Sequence, residues 1–313
     1  MIATLHQQLA ARIARIDSLP TVPGVIRPLL ETLAGSHDDV DMEKVIEMVS
    51  RDKTISAQVL RVCNSALFGR ANVVDSVRGG VVSLGLRRMQ EIVFACTFCP
   101  LLRVKDIVID PAIFWRHSFG CALVSRKFSA LIDFPNPEQA YLAGLLHDIG
   151  FQVNSLIDPE GWKATVHQAM TTETPLYDAE MAVLGYSHCE SGRVLAEQWQ
   201  LPSAVAEAIE FHQTDESAAA HGDLVAIVHV SDLLCRMRDM GYGYYEPLRV
   251  DFMGDLAWTL LAGHFRKLAS MDLALFTFEL DALIEDVQKM VEEVFPAPSG
   301  ATQVRPSTDH RVS

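Results

Sequence analysis

Residues 140–150 read AYLAGLLHDIG, a run of small and apolar residues that ends in an adjacent histidine and aspartate. The apolar residues predict a buried helix over 137–147, with His147 and Asp148 at its end. An imidazole nitrogen and a carboxylate oxygen are both good ligands for borderline divalent metals, and a carboxylate can bridge two ions. An ordinary interpretation is also open, in which Gly150 caps the helix and His147 contacts the last carbonyl groups.

Helical periodicity extends outward from this segment over most of the chain. The predicted helices cover residues 2–16, 24–34, 42–50, 54–63, 76–84, 86–100, 114–131, 137–147, 178–184, 188–199, 202–212, 222–237 and 273–294. Proline and glycine lie at the breaks between them, and we find no convincing run of the strict alternation that is typical of strands. We therefore predict an all-α fold, built as a multi-helix bundle.

Three parts are predicted along the chain. The segment VKDIVIDP at 104–111 separates a block that is poor in histidine from one that holds most of the histidines. We place an N-terminal helical subdomain at 1–105 and a larger helical domain at 106–295. Residues 296–313 are rich in Pro, Ser and Thr, so we expect a mobile tail.

The amino-acid composition and charge argue against several classes of protein. Of 313 residues, 49% are hydrophobic and 21% are charged, which is typical of a folded chain rather than a disordered one. The longest nearly uncharged apolar run, 92–102, is too short to cross a bilayer, and the N-terminus lacks the pattern of a secretory signal, so we expect a cytoplasmic protein. The formal net charge of −14 disfavours nonspecific binding to nucleic acid.

Cysteine usage indicates reduced thiols. The six cysteines lie mostly inside apolar stretches, which favours buried core thiols over a disulfide framework. They are Cys63, Cys96, Cys99, Cys121, Cys189 and Cys235. Cys96 and Cys99 have the spacing of half a zinc site, but no second Cys or His pair lies near them, so we interpret them as core residues.

Other histidines and an aspartate accompany the His147-Asp148 pair, each on a separate predicted helix. They are His117, His188, His212 and Asp232. A histidine that is hydrogen-bonded within the core is the ordinary explanation for any one of them. Their coincidence on consecutive helices favours a metal site, because the helices of a bundle can each project one polar residue toward a common interior point.

This order of residues resembles the HD superfamily of metal-dependent phosphohydrolases, and in particular its HDOD branch, the HD-related output domains of bacterial signalling proteins. The segments that carry the resemblance are SLPTVPGV at 18–25, DKTISAQVLRVCNSALFG at 52–69, DSVRGGVVSLGLRRM at 75–89, FWRHSFGCALVSRKFS at 114–129, AYLAGLLHDIG at 140–150 and EMAVLGYSHCESGRVLAEQWQLPSAVAEAIEFHQ at 180–213. The Asn64-Ser65 segment is specific to the branch. We favour a capping role for it over a partner contact.

The resemblance implies an HD-type bundle and a set of metal ligands. It assigns His117, His147, Asp148 and Asp232 to a first metal, with Asp148 as the bridge, and His188 and His212 to a second metal in binuclear relatives. Glu180, Gln213 and His229 are predicted to lie around these ligands and orient them. Because imidazoles predominate, we expect one or two ions of iron, manganese or zinc rather than magnesium.

Two departures from the related phosphodiesterases decide between two functions. HD-GYP enzymes, which cleave cyclic dinucleotides, carry a phosphate-facing lysine where this chain has Phe151, and a second histidine where it has Gln213. We therefore predict a signalling output protein that acts through signalling partners or a small nucleotide-like ligand, with a homo-oligomer left open. The alternative is a metal-dependent phosphohydrolase that uses Asp148 on a nucleotide or other phosphoester.

Overall fold

The computed structural model describes residues 2–15, 42–64, 73–98, 108–214, 219–242 and 254–294. Every regular element in these ranges is a helix, which confirms the all-α prediction. Within the same ranges, no helix combines the length and apolar character that a membrane span needs.

The described residues of the N-terminal half form five helices. They are α1 (Ile2–Ile13), α2 (Met42–Arg51), α3 (Lys53–Cys63), α4 (Val77–Leu84) and α5 (Leu86–Phe98). Helices α2 to α5 enclose a small apolar core that includes Val49, Val59, Val62, Met89 and Ile92. The predicted helix over 24–34 lies outside the described residues.

The side chain of Asn64 closes the segment that links α3 to α4. Its Nδ2 donates to the carbonyl groups of Leu60 (2.9 Å) and Val74 (2.7 Å), and its Oδ1 accepts from the Val74 amide (2.6 Å). One amide thus satisfies backbone groups at both ends of the segment, which supports the capping interpretation. Residues 65–72 lie outside the described part of the chain.

The larger bundle follows. Its helices are α6 (Pro111–Leu131), α7 (Pro137–Leu146), α8 (Gly150–Ile157), α9 (Pro159–Thr172), α10 (Leu176–Val183), α11 (His188–Gln198), α12 (Ser203–Phe211), α13 (Gly222–Arg236), α14 (Leu256–His264), α15 (Arg266–Ala269) and α16 (Leu273–Val294). Helix α6 is central, because α7, α13 and α16 all pack against it. Side-chain caps begin several helices, among them Asp110 before α6, Asn136 before α7 and Ser187 before α11.

Helix α1 packs on the larger bundle rather than on the small core. Its residues Leu9 and Ile13 are buried in the large core, and Arg12 donates to the carbonyl of Ile157 at 3.0 Å. The predicted boundary at 105/106 and the tail at 296–313 fall outside the described residues. The division into an N-terminal subdomain and a larger domain therefore stays a prediction.

Helices α8, α9, α14 and α15 are absent from the pattern-based prediction. The first of them begins at Gly150, the residue that the ordinary interpretation of the His-Asp pair assigns to a helix cap. The backbone of Gly150 is not in the left-handed conformation. A glycine is needed here because the backbones of α8 and α11 are in contact at this position. A Cβ at this position would lie 1.9 Å from the carbonyl oxygen of His188.

Candidate metal centre

Five packed segments bring the six predicted ligands to one point inside the larger bundle. The contributing residues are His117 on α6, His147 and Asp148 in the turn between α7 and α8, His188 at the first turn of α11, His212 at the end of α12 and Asp232 on α13. None of the six is more than 2% exposed. Polar groups buried so completely need partners, so their mutual contacts account for their placement.

One half of the cluster contains two imidazoles and two carboxylates. The Nε2 atoms of His117 and His147 lie 3.2 Å apart. His117 Nε2 is also 3.2 Å from Asp232 Oδ1, and His147 Nε2 is 3.0 Å from Asp148 Oδ2. We call these four residues the first half of the centre.

The second half contains two imidazoles and the other oxygen of the same aspartate. The Nε2 atoms of His188 and His212 lie 3.4 Å apart, and each is 3.2 Å from Asp148 Oδ1. Asp148 therefore turns Oδ2 toward the first half and Oδ1 toward the second. This is the arrangement of a carboxylate that bridges two ions.

Hydrogen bonds on the far side of each ring fix its orientation. Three histidines place Nδ1 against a backbone carbonyl oxygen: His117 on Met240 (2.9 Å), His147 on Gly144 (2.7 Å) and His212 on Ile209 (2.9 Å). A carbonyl oxygen only accepts, so Nδ1 must carry the hydrogen and, in a neutral ring, Nε2 keeps its lone pair. Such partners orient a metal-binding imidazole and raise its basicity.

His188 has a carboxylate in place of a carbonyl group. Its Nδ1 lies 2.5 Å from Glu180 Oε2, and its backbone amide donates to the same oxygen at 3.0 Å. Glu180 is fully buried, and Asn154 donates to its other oxygen at 2.9 Å. Glu180, which is predicted to orient the ligands, thus contacts the far side of the His188 ring.

The donor atoms fit a transition-metal ion. Neighbouring donor atoms lie 3.0–3.5 Å apart within the two halves, and ligands at bond lengths of about 2.0–2.1 Å around a tetrahedral ion lie about 3.3 Å apart. In neutral rings with hydrogens on Nδ1, the facing Nε2 atoms present lone pairs to each other and to carboxylates. A cation between them resolves that repulsion, and a set rich in imidazole favours iron, zinc or manganese over magnesium.

Electrostatics keeps both aspartates ionised. Burial acts to raise the pKa of Asp148, but the surrounding histidines, His147 foremost, hold it well below the usual range. Burial acts in the same direction on Asp232, and Arg236 and His117 outweigh it, so the pKa of Asp232 is also lowered. Both carboxylates are thus in the charged form that binds metal.

The other two residues that were predicted to surround the ligands lie next to His212. His229 places Nδ1 2.7 Å from the His212 carbonyl oxygen, and its Nε2 lies 3.2 Å from Asp255 Oδ2. It therefore supports the end of α12 from behind, with its other nitrogen directed away from the donor atoms. Gln213 follows in the next turn and is half-buried, and among the described residues it makes no hydrogen bond to the six side chains.

Two aromatic rings cover the centre, and sequence reasoning missed one of them. Tyr242 donates its hydroxyl to Asp148 Oδ2 at 2.7 Å, and its ring lies 4.6 Å from that of His117. Phe151, which replaces the phosphate-facing lysine, packs 4.3 Å from the His188 ring and 5.3 Å from Tyr242. Nothing in the local sequence of Tyr242 indicates this contact, because it joins residues 94 positions apart.

Further contacts with the predicted ligands were not predicted from the sequence. Arg236 donates to Asp232 Oδ2 at 2.6 Å, a pairing that the four-residue spacing on a predicted helix would have indicated. Two cysteines interpreted as plain core residues lie beside the donors: Cys121 Sγ is 3.5 Å from His117 Nε2, and Cys189 Sγ is 3.5 Å from His188 Nε2.

Comparison with known proteins identifies the family. The model of the HDOD domain matches residues 19–215, more than half of the chain. The chain belongs to the HDOD family. An HDOD domain protein of unknown function from Geobacter sulfurreducens is 27% identical, with a TM-score of 0.78 over 94% of this chain and 99% of that one.

Two other proteins are similar to this chain, one in sequence and one in fold. An uncharacterized protein of Treponema pallidum is 27% identical over 252 residues, 79% of this chain. The chain spans 48% of that protein's length. A candidate phosphohydrolase from Shewanella amazonensis SB2B, 24% identical with a TM-score of 0.65 over 91% of this chain and 98% of that one, shares the fold.

Proposed function

We propose that this HDOD protein is a signalling output module that holds one or two transition-metal ions and acts by binding partner proteins or a small nucleotide-like ligand rather than by turnover. In this proposal His117, His147, Asp148 and Asp232 hold the first ion, and Asp148, His188 and His212 hold the second. The observation that carries it is the covering of the centre. The six ligands are at most 2% exposed, and the rings of Phe151 and Tyr242 lie against them.

The covering rings argue against efficient hydrolysis. A bound divalent pair supplies Lewis-acid polarisation of a phosphoryl oxygen and an activated water. Hydrolysis also gains from donors that face the developing charge, and losing one such donor costs about 10²–10³ in rate. Phe151 offers an apolar ring at that place, and Tyr242 directs its hydroxyl to Asp148 rather than outward.

A metal-dependent phosphohydrolase is the second candidate, and one observation favours it. Asp148 turns one oxygen to each half of the centre, as a bridging carboxylate does in sites that hold two ions. The substrate would be a nucleotide or another phosphoester. For such a substrate to reach the ions, the rings of Phe151 and Tyr242 would have to move.

Metal content and a phosphoester panel separate the two candidates. Purified protein is analysed for metals and then loaded in turn with iron, manganese and magnesium, with cyclic dinucleotides, linear nucleotides and a generic phosphoester as substrates. We expect at least one equivalent of a transition metal and no turnover above that of Asp148→Ala. Brisk hydrolysis that disappears in Asp148→Ala would establish the enzyme instead, and metal far below one equivalent after reconstitution would remove the proposed centre.

The ligand assignment has its own test. Asp148→Ala removes an oxygen from both halves, so we expect loss of the bound metal. His229→Ala removes only a contact behind His212, for which the expected loss of affinity is about 10–100-fold. Metal titrations of both variants test the ligand assignment. The assignment is wrong if His229→Ala loses the metal while Asp148→Ala retains it.

A further inference from the structure

A cysteine thiol lies beside the second half of the centre. Cys189 follows His188 in the first turn of α11 and is 2% exposed. Its Sγ lies 3.5 Å from His188 Nε2 and 3.9 Å from His212 Nδ1. One nitrogen of each histidine and the Sγ of Cys189 all lie within 4.8 Å of one another, so the three residues form a group that could hold an ion.

The two halves differ in how many donors the protein supplies. The first half has four: His117, His147, Asp148 and Asp232. Among the residues that the structure describes, the second half has three donors without the cysteine: His188, His212 and one oxygen of Asp148. Structural zinc sites take four protein ligands, whereas catalytic sites take three and leave a position open for water or substrate. Whether the second half has a fourth protein donor therefore decides whether it is a closed structural site or a site open to water and substrate.

We propose that Cys189 supplies this fourth donor as a thiolate and closes the second half of the centre to water and substrate. The inference rests on the proposed metal function and deepens it. A nitrogen and a sulfur bound to one tetrahedral ion, at about 2.0–2.1 Å and 2.3 Å, lie about 3.5–3.6 Å apart. The 3.5 Å between Cys189 Sγ and His188 Nε2 matches this separation. On binding, the thiol releases one proton to solvent, and no redox step is involved.

A thiolate donor has a consequence for metal choice. Sulfur ligands favour zinc, iron(II) and cobalt(II) over the hard, oxygen-preferring magnesium and manganese ions. The second half would then select a soft or borderline ion, with every position filled by the protein. A half closed in this way holds the turn between α7 and α8, α11 and the end of α12 around one ion, in keeping with a structural rather than catalytic role.

Cobalt(II) substitution gives a direct readout of a sulfur ligand, and Cys121 provides the matched control. Cys121 is equally buried and its Sγ is also 3.5 Å from a ligand nitrogen, but it lies beside the half that already has four donors. We expect the cobalt protein to show a thiolate-to-cobalt charge-transfer band in the near ultraviolet. The band should be lost in Cys189→Ser and kept in Cys121→Ser, with cobalt content and helical circular dichroism measured for each.

Each outcome of the cobalt experiment either supports or refutes Cys189 as a ligand. If cobalt is bound without the band, or if the band survives Cys189→Ser, Cys189 is not a ligand, while the proposed metal centre stands. If no cobalt binds, the proposed function itself fails. Should Cys189→Ser not fold, zinc-edge X-ray absorption of the unaltered protein decides, because a sulfur neighbour at about 2.3 Å is resolved from nitrogen and oxygen at about 2.0–2.1 Å.

Discussion

At the scale of single residues, Glu180 shows how a buried carboxylate orients a histidine of the candidate metal centre. It is fully buried, yet both of its oxygens accept hydrogen bonds: one from the His188 amide and the other from Asn154. The oxygen that serves the amide also lies 2.5 Å from His188 Nδ1, so it fixes the hydrogen there and directs Nε2 at Asp148. We therefore expect the strength of metal binding at the second half of the centre to depend on Glu180, which is not one of the six predicted ligands.

Glu180→Gln tests this dependence. Glutamine keeps the shape but removes the charge, and its amide nitrogen can face Nδ1 and disfavour the required tautomer. We expect metal affinity to fall by about 10–100-fold in a titration of the apoprotein. Glu207→Gln is the matched control, because Glu207 accepts from the amide of His221 and lies 3.0 Å from its Nδ1, but on an exposed face. Equal losses in both variants would contradict the assignment.

The six predicted ligands could be picked out from the sequence because histidine and aspartate are the residue types that bind metals. Histidine and aspartate in apolar helices are rare enough to be noticed, and the resemblance then placed them in order. Tyr242 and Cys189 were not accessible in the same way. Tyrosine and cysteine are ordinary in a buried core. Tyr242 reaches the centre from a position 94 residues away from Asp148, and Cys189, although it adjoins His188, has the sequence context of any core thiol.

At the scale of elements, the centre depends on how closely α8 approaches α11. The turn that carries His147 and Asp148 ends at Gly150, where the two backbones touch. Asp148 Oδ1 lies 3.2 Å from His188 Nε2 across this approach, so we expect the second half of the centre to require a glycine at position 150.

Gly150→Ala should therefore damage both stability and metal binding. The added methyl group would lie 1.9 Å from the His188 carbonyl oxygen, against a backbone that cannot turn aside. Overpacking of this kind costs about 1–3 kcal/mol or more. Gly263→Ala is the control, because a Cβ there meets nothing within 4 Å and alanine favours the helix by about 0.5–1 kcal/mol. Urea unfolding and metal content measure both, and an unaffected Gly150→Ala protein would refute the argument.

The helices that sequence reasoning predicted and those that it missed differ in pattern. Long helices such as α6 and α16 have clear start and stop signals, and their predicted bounds agree within a few residues. Helix α8 is eight residues long and follows a glycine that is also typical of a helix end. Helix α14, LAWTLLAGH, is nine residues long and apolar on nearly every face, so it shows no amphipathic period.

At the scale of the whole molecule, α5 joins the small core to the larger bundle. Its residues Met89 and Ile92 face the small core, while Phe94 faces the large one. On the same helix Glu91 is buried and accepts from Arg126 of α6 at 2.5 Å. A buried ion pair at such a junction fixes one relative arrangement of the helices, because each charge is satisfied only in that register.

Arg126→Met should weaken this junction. Methionine keeps much of the aliphatic volume but leaves the buried Glu91 carboxylate short of a donor, with Arg88 at 3.1 Å remaining. Loss of one partner of a buried charged group costs about 1–3 kcal/mol. The exposed pair of Arg51 and Glu47 gives the control, and Arg51→Met should change the free energy of unfolding by less than about 1 kcal/mol. Equal costs for the two variants, measured by denaturant unfolding, would show that the junction is not held by this pair.

Metal removal acts on the whole molecule, because the centre ties together five segments of the larger bundle. An ion that binds only the native state stabilises it by about 2.7 kcal/mol when its free concentration is 100 times Kd. For a domain of this size that corresponds to a rise in Tm of about 5–10 °C. We therefore expect chelation to lower Tm by this amount and re-addition of zinc or iron to restore it, while Asp148→Ala responds to neither treatment. If the metal is removed completely and Tm does not move, the ion does not hold the bundle together, and the structural role proposed for it is wrong.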